Sequence, residues 1–316
     1  MSSRLVILCP GQGGQHAAMF DLARSDRHAA DELRRWIPDT MFGKPLDRLL
    51  GDDSLLFSNR IAQPLIVAAT LATWEALKEV VPRPSLVAGY SIGEIAAYGV
   101  AGALPAADAV ALAASRAKLM DACADASSRQ SMIAVSGLSE PGVTELVLRH
   151  SLFIAIETGE DSFIVGGLSR QVAEFNRELL QLGGRTSALA VPIASHTPLM
   201  GAAVKPFAEV LGHSRFADPQ VPVLSGIGAE QVDQKERAIA TLSRQLAEKI
   251  RWTDCMDACA EAGITVALEL GPGRALSRML QVRHAHIECR SAADFRTVAG
   301  IAAWLERAGA HGTSFT

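Results

Sequence analysis

Leu86-Val87-Ala88-Gly89-Tyr90-Ser91-Ile92-Gly93-Glu94 is the stretch from which the rest of the chain can be read. Leu86-Val87-Ala88 is a short apolar run of the kind that forms a buried strand, and small, helix-compatible residues continue from Glu94 to about Gly102. Between them lies Gly-Tyr-Ser-Ile-Gly. A serine between two glycines, on a tight turn from strand to helix, is the context of a nucleophile elbow. The glycines permit the sharp backbone and a close strand–helix approach. Such a turn puts the Ser91 Oγ at the helix N-terminus and points the Ile92 N–H to where an oxyanion would form. An ordinary Gly/Ser turn is the plain alternative, and the flanking strand and helix favour the nucleophile.

Working outward, Leu5-Val6-Ile7-Leu8-Cys9 is a second continuous apolar run, stopped by Pro10 and Gly11, and reads as a central strand. Residues 61–80 carry helical periodicity, with Pro64 read as a first-turn proline, and another helix is expected from Pro105 to about Ala124. Strand, turn and helix in repetition give an α/β core with a largely parallel sheet. From about Ser128 the rhythm changes to strand 131–136, helix 140–150, strands 152–157 and 162–166, helix 169–182 and strand 186–191. That order, βαββαβ, is ferredoxin-like. It predicts a subdomain over 128–191 inserted into a larger domain of 1–127 and 192–316. In the last part, helices near 197–212 and 234–250 flank a strand at 221–224. Helix 252–263 leads into strand 264–270, and a final helix covers about 294–309.

Composition narrows the function. The 316 residues are 49% apolar and 20% charged, with 30 Lys and Arg against 34 Asp and Glu for a net charge of −4. That excludes a generally basic, nucleic-acid-coating surface. The five cysteines are odd in number and scattered, with no CxxC pair, so neither a disulfide framework nor a zinc site is expected. The first apolar run is too short for a signal peptide, and no run of 18 uncharged apolar residues predicts a membrane span. The expected location is the cytoplasm.

A serine hydroxyl needs a base. Of eight histidines, His196 lies on a loop at a strand end, between Val191-Pro192-Ile193-Ala194-Ser195 and Thr197-Pro198-Leu199-Met200. The others sit at a helix start or in charged, polar stretches. Directly after the first strand, Pro10-Gly11-Gln12-Gly13-Gly14-Gln15 lacks both the GxGxxG spacing and a GK[ST] ending, which argues against a phosphate cradle. It reads better as a loop that presents the Gln12 N–H as second oxyanion donor.

PGQGGQ, GYSIGE at 89–94, Arg116 in SRAKLM, SHTPLM at 195–200 and ELGPGR at 269–274 together resemble the malonyl-CoA:acyl-carrier-protein transacylase family. The resemblance spans nearly the whole chain and implies an α/β-hydrolase-like domain with a ferredoxin-like subdomain. It implies Ser91 as the acylated nucleophile, His196 as base, and the amides of Gln12 and Ile92 as oxyanion hole. It further implies that the Gln245 carbonyl orients the histidine in place of a triad carboxylate, that Gln63 lines the pocket, and that Arg116 pairs with the free carboxylate of malonate. A guanidinium forks onto a carboxylate, and an acetyl group offers none. Without the family pattern, Arg116 would read as an ordinary solvated helix residue. The implied substrate is malonyl-CoA and the acceptor is the prosthetic thiol of an acyl carrier protein, with no permanently bound cofactor or metal.

Tyr90 stands where the family elbow usually has histidine, and Ile193-Ala194-Ser195 departs from the common synthase patterns. Tyr90, TGEDSFIVGG at 158–167 and SHTPLM look most like the transacylase subunit of malonate decarboxylase. A role in that complex is therefore expected, with fatty-acid or polyketide synthesis as the alternative. Two readings of another kind stay open. A serine hydrolase (thioesterase) would usually carry an acid between Ser91 and His196, where Glu157, Glu160 and Asp161 fall in the inserted subdomain. A non-catalytic docking subunit would have no need of Ser91, His196, Gln12 and Arg116 together.

Overall fold

Every side chain of β1 (Leu5–Cys9) is at most 3% exposed, and alternate residues face different cores. Leu5, Ile7 and Cys9 point into one hydrophobic cluster, Val6 and Leu8 into another on the opposite face. A strand covered on both sides needs apolar residues at every position, which is why the run is continuous. The computed structural model describes residues 4–38, 41–124 and 129–311.

β1 is flanked by β2 (Leu86–Gly89) and β10 (Val266–Glu269), both parallel to it, within a six-stranded sheet of order β11-β10-β1-β2-β7-β8. β7 (Val223–Leu224) and β11 (Glu288–Ser291) extend the parallel set, and β8 (Gln231–Val232) closes the edge antiparallel to β7. Helices Asn59–Leu77 and Ala106–Asp121 pack on the face toward Ile7. Helices Trp252–Glu261 and Ala275–Arg283 cover the face toward Leu8.

The second sheet has the order β6-β3-β5-β4-β9, its last strand being the two residues Ile250–Arg251. β3 (Gln130–Ser136), β4 (Phe153–Gly159), β5 (Ser162–Leu168) and β6 (Arg185–Ala188) pair antiparallel throughout, the ferredoxin-like arrangement expected from βαββαβ. Helices Glu140–Arg149 and Ser169–Gln181 bury Val143, Leu146, Phe175 and Leu179 on one of its faces. Met132, Ala155 and Ile156 on the other face join the cluster around Leu8. The fold is therefore α/β, a larger part around the parallel sheet with a smaller one seated against it. The 127/128 boundary expected from the sequence lies outside the described residues.

Several expected elements come out differently. The helix expected over 234–250 spans Lys235–Arg244, and Ile250–Arg251 instead form β9, pairing parallel with Ile156 and Glu157 of β4. Tertiary pairing of a β-branched residue overrides a helical pattern here. Pro64 is the sixth residue of its helix, not part of the first turn. The helical bond it cannot donate would have gone to the carbonyl of Arg60, an exposed residue that water reaches. β6 ends at Ala188 rather than 191, ahead of Pro192. The final helix, Val298–His311, starts later than 294 because Ser291 and Asp294 cap a separate 3-10 turn. β11, Glu-Cys-Arg-Ser, carries no strand signature in its sequence, because it is an edge strand with little apolar content.

Gly93 opens helix Gly93–Val100, and a Cβ there would lie 2.1 Å from the Cys9 carbonyl oxygen. Gly93→Ala is expected to cost about 3 kcal/mol or more in urea denaturation, at or beyond the upper end for overpacking. Gly212→Ala, in a helix with nothing within 4 Å of the added carbon, is expected to be neutral or to stabilise by up to about 1 kcal/mol.

Candidate active site

β2 ends at Gly89, and the chain turns sharply through Tyr90 and Ser91 into the helix. Ser91 has φ 55°, the left-handed region that non-glycine residues seldom occupy. The turn is held by the Tyr90 N–H donating to the Cys9 carbonyl at 3.0 Å and the Gly93 N–H donating to the Tyr90 carbonyl at 2.9 Å. A Cβ on Gly89 would lie 2.3 Å from the Glu94 Cα, so only glycine allows strand and helix to come this close. The Tyr90 ring packs edge-on against Trp252, with centroids 5.3 Å apart.

His196 is 1% exposed and, like Ser91, has a positive φ, 60°. Its Nε2 lies 2.7 Å from the Ser91 Oγ, and its Nδ1 lies 2.6 Å from the Gln245 carbonyl oxygen. A carbonyl only accepts, so Nδ1 carries the hydrogen and Nε2 is left to accept from the serine hydroxyl. The loop is pinned on two sides. The His196 N–H donates to the Leu246 carbonyl at 2.8 Å, and the Ala194 N–H donates to the Gln130 side chain at 2.8 Å. Burial first, then the nearby Arg116 charge, lower the imidazole pKa from 6.5 to about 3, against the opposing pull of the Gln245 carbonyl. The ring is neutral at neutral pH.

Arg116, on helix Ala106–Asp121, is 1% exposed rather than a solvated surface residue. Its Nη1 donates to Gln63 Oε1 at 2.8 Å and its Nη2 to Gln245 Oε1 at 3.3 Å, while Nε has no partner. Gln63 in turn donates to Asn59 at 2.7 Å, and Asn59 to Asp121 at 2.8 Å. The Gln245 amide nitrogen donates to Glu94 Oε2, which also accepts from the Gly226 N–H at 3.0 Å. Burial lowers the guanidinium pKa to about 10, with Glu94 acting in the other direction, so the charge survives at neutral pH.

Gln12 sits on the loop after β1, which touches the elbow through Gly11; a Cβ on Gly11 would lie 2.8 Å from the Tyr90 carbonyl. The Gln12 Nε2 is buried without a partner. Gln12 and Tyr90 line a cavity of about 950 Å³, whose walls also carry His16, Arg274, Arg278 and Arg296.

The structure thus brings Ser91, His196, Gln245, Arg116 and Gln63 into one hydrogen-bonded set, with Gln12 on the adjoining loop and Ile92 next to the serine in the turn. Glu94 and Asn59 belong to the same network and were missed. Glu94 reads as an ordinary first-turn acid, and the available signal was one charge in the otherwise apolar, small-residue run GEIAAYGV. Among the described residues no group of His, Cys, Asp or Glu is arranged to hold a metal, and no helix is long and apolar enough to cross a membrane.

A serine hydroxyl hydrogen-bonded to a buried imidazole on a strand–helix elbow, with a buried cation in the same network, is an arrangement chemically able to form an acyl-serine. The acyl transferase domain family model matches residues 6–301, and the chain belongs to that family. It is 31% identical over 277 residues to the malonyl CoA-acyl carrier protein transacylase of Mycobacterium tuberculosis, covering 86% of this chain and 91% of that one. The crystal structure of a malonyl-CoA:acyl carrier protein transacylase from Xanthomonas oryzae superposes with a TM-score of 0.88 at 30% identity, over 97% of this chain and 99% of that one. A malonyl-transacylase in complex with its type II polyketide acyl-carrier protein superposes with a TM-score of 0.88 at 25% identity, over 96% and 100% of the two chains.

Labelling of Ser91 by an uncharged fluorophosphonate is expected to stay flat from about pH 7 down to about pH 5, because the imidazole is already neutral there. An acid limb near the ordinary histidine value of about 6.5 would contradict this. His196→Ala is expected to slow labelling at least about 100-fold, the scale of a lost general base.

Proposed function

We propose that the protein is a malonyl-CoA:acyl-carrier-protein transacylase working by a ping-pong mechanism. The observation that carries this reading is Arg116, a buried cation linked to the histidine's anchor Gln245, where a substrate carboxylate can replace amide partners. His196 Nε2 takes the Ser91 proton as Oγ attacks the thioester carbonyl. The electron pair moves to the carbonyl oxygen, stabilised by the Gln12 and Ile92 amides. Collapse of the tetrahedral adduct breaks the C–S bond, and the imidazolium returns its proton to the departing thiolate. The carrier's prosthetic thiol then gives its proton to His196 and attacks the malonyl-Ser91 carbonyl. As this second adduct collapses the bond to Ser91 Oγ breaks, the imidazolium returns the proton to Oγ, and the malonyl thioester of the carrier leaves. Arg116 holds the malonyl carboxylate through both halves.

The Gln245 carbonyl at the histidine Nδ1, where a serine hydrolase usually has a carboxylate, supports transfer over hydrolysis. The intact Ser91–His196 contact speaks against a docking subunit. The wide cavity beside Gln12 suits the phosphate-bearing arm of coenzyme A or of a carrier, because Arg278 and Arg296 on its wall bring positive charge. The relatives support a transacylase serving fatty-acid or polyketide synthesis. The malonate decarboxylase role rests on Tyr90, TGEDSFIVGG and SHTPLM alone. For domain organisation, 128–191 as a subdomain within 1–127 and 192–316 is supported by a hydrophobic cluster drawn wholly from residues 133–179.

The test is intact-protein mass spectrometry after brief incubation with malonyl-CoA. The expected result is a malonyl adduct that is absent in Ser91→Ala and clears on addition of a carrier thiol; clearance to water at the same rate without a carrier would instead establish a hydrolase. Arg116→Ala is expected to slow malonyl transfer about 10- to 100-fold, the loss of charge-assisted hydrogen bonds, without slowing acetyl transfer. Paired Arg278→Glu and Arg296→Glu changes are expected to raise KM for malonyl-CoA several-fold with kcat little altered.

A further inference from the structure

Glu94 is fully buried directly after the elbow, and one residue connects it to everything that acts. Gln245 uses its side-chain nitrogen on Glu94, its side-chain oxygen on Arg116 and its main-chain oxygen on His196. An amide presents its nitrogen to an acceptor and its oxygen to a donor, so Glu94 fixes which way the Gln245 amide faces. Around Gln245 the site therefore holds one cation, Arg116, one carboxyl group, Glu94, and a neutral imidazole, with a second carboxylate, Asp121, at the far end of the Gln63–Asn59 chain. Glu94 Oε1 has no partner, although the group is cut off from water.

We infer that Glu94 is the internal counter-ion of Arg116, and that a substrate carboxylate competes with it for the guanidinium charge, so that carboxylate binding is coupled to proton uptake by Glu94. The inference rests on the reading of Arg116 given above. With the site empty and Glu94 ionised, as it is at the alkaline end of the range, its charge and that of Arg116 offset each other across the Gln245 amide. A second carboxylate on Arg116 would leave a net negative charge in a water-excluded pocket. One proton taken from solvent by Glu94 removes it. Burial already raises the Glu94 pKa to about 8, against the opposing pull of the Gly226 N–H, Gln245 and Arg116. Four other titratable groups lie around Glu94. Tyr98 and Cys255 are pushed well above their ordinary values by burial, His196 is held neutral, and Glu230 is ion-paired with Arg237 at 2.8 Å.

Ser91→Ala, which binds thioesters without turning them over, makes the coupling measurable by titration calorimetry in buffers of different ionisation enthalpy. Malonyl-CoA is expected to bind with uptake of about half a proton per molecule at pH 8, and its Kd is expected to rise about 10-fold from pH 7 to pH 9. Acetyl-CoA carries the same phosphates and no carboxylate, and is expected to show neither effect. Ser91→Ala/Glu94→Gln keeps an acceptor for Gln245 but no charge, and is expected to bind malonyl-CoA without uptake and with a flat Kd. Equal uptake with both esters, or uptake that persists in the double variant, overturns the inference. If the double variant does not fold, the difference between the two esters in Ser91→Ala decides alone. Binding of neither ester overturns the transacylase reading itself, and with it this one.

Discussion

A guanidinium that water does not reach has to be solvated by protein, and much of the larger part of this fold is arranged to do so. Arg116 draws on four separate elements. Its own helix carries it inward, Asn59–Leu77 supplies Gln63, the helix after the elbow supplies Glu94, and the chain just past Arg244 supplies Gln245. Desolvating such an ion costs several kcal/mol even after relaxation, and a well-packed apolar residue would often serve stability as well or better. An unpartnered Nε and an unpartnered Glu94 oxygen are further costs. The network is therefore poorly explained by stability; what it does is hold a cation on the same glutamine that anchors the histidine.

The same logic applies to the backbone. Ser91 and His196 are among only four non-glycine residues with positive φ among those described. Left-handed conformations at such residues cost on the order of 1–3 kcal/mol each and persist where their surroundings over-determine them. Around Ser91 the surroundings are the crowded glycines 89 and 93; around His196 they are the carbonyls of Gln245 and Leu246. Two strained residues meeting at 2.7 Å put the hydroxyl and the imidazole in register before any ligand arrives.

How far the sequence discloses this depends on how local each feature is. The β1 and β2 runs, the elbow and the βαββαβ order are written in adjacent residues, and the chain forms them where expected. Features created by distant pairing were less visible. Ile250 reads as the end of a helix, and Arg251 as the break before the next, because nothing beside them in sequence announces β4 as their partner. Arg116 carried no sign of burial in its own neighbourhood, and its candidate role came from the company of the other motifs. Glu94 lay inside the most legible motif of the chain and still went unread, since its meaning depends on Gln245, 151 positions away.

β9 gives the second sheet a fifth strand borrowed from the far side of the chain, only a few residues after the one whose carbonyl steadies the histidine. Lys249, next to it, is ion-paired with Glu157 of β4, and the Arg251 N–H reaches back to the Gly226 carbonyl at 2.8 Å. The smaller unit is thus buttoned to the larger one through the short stretch 245–251. Anyone exchanging it between relatives to alter acceptor preference has to treat that stretch as part of the graft. A seam drawn only at the two chain crossings would match the linkers and leave the imidazole leaning on a foreign edge.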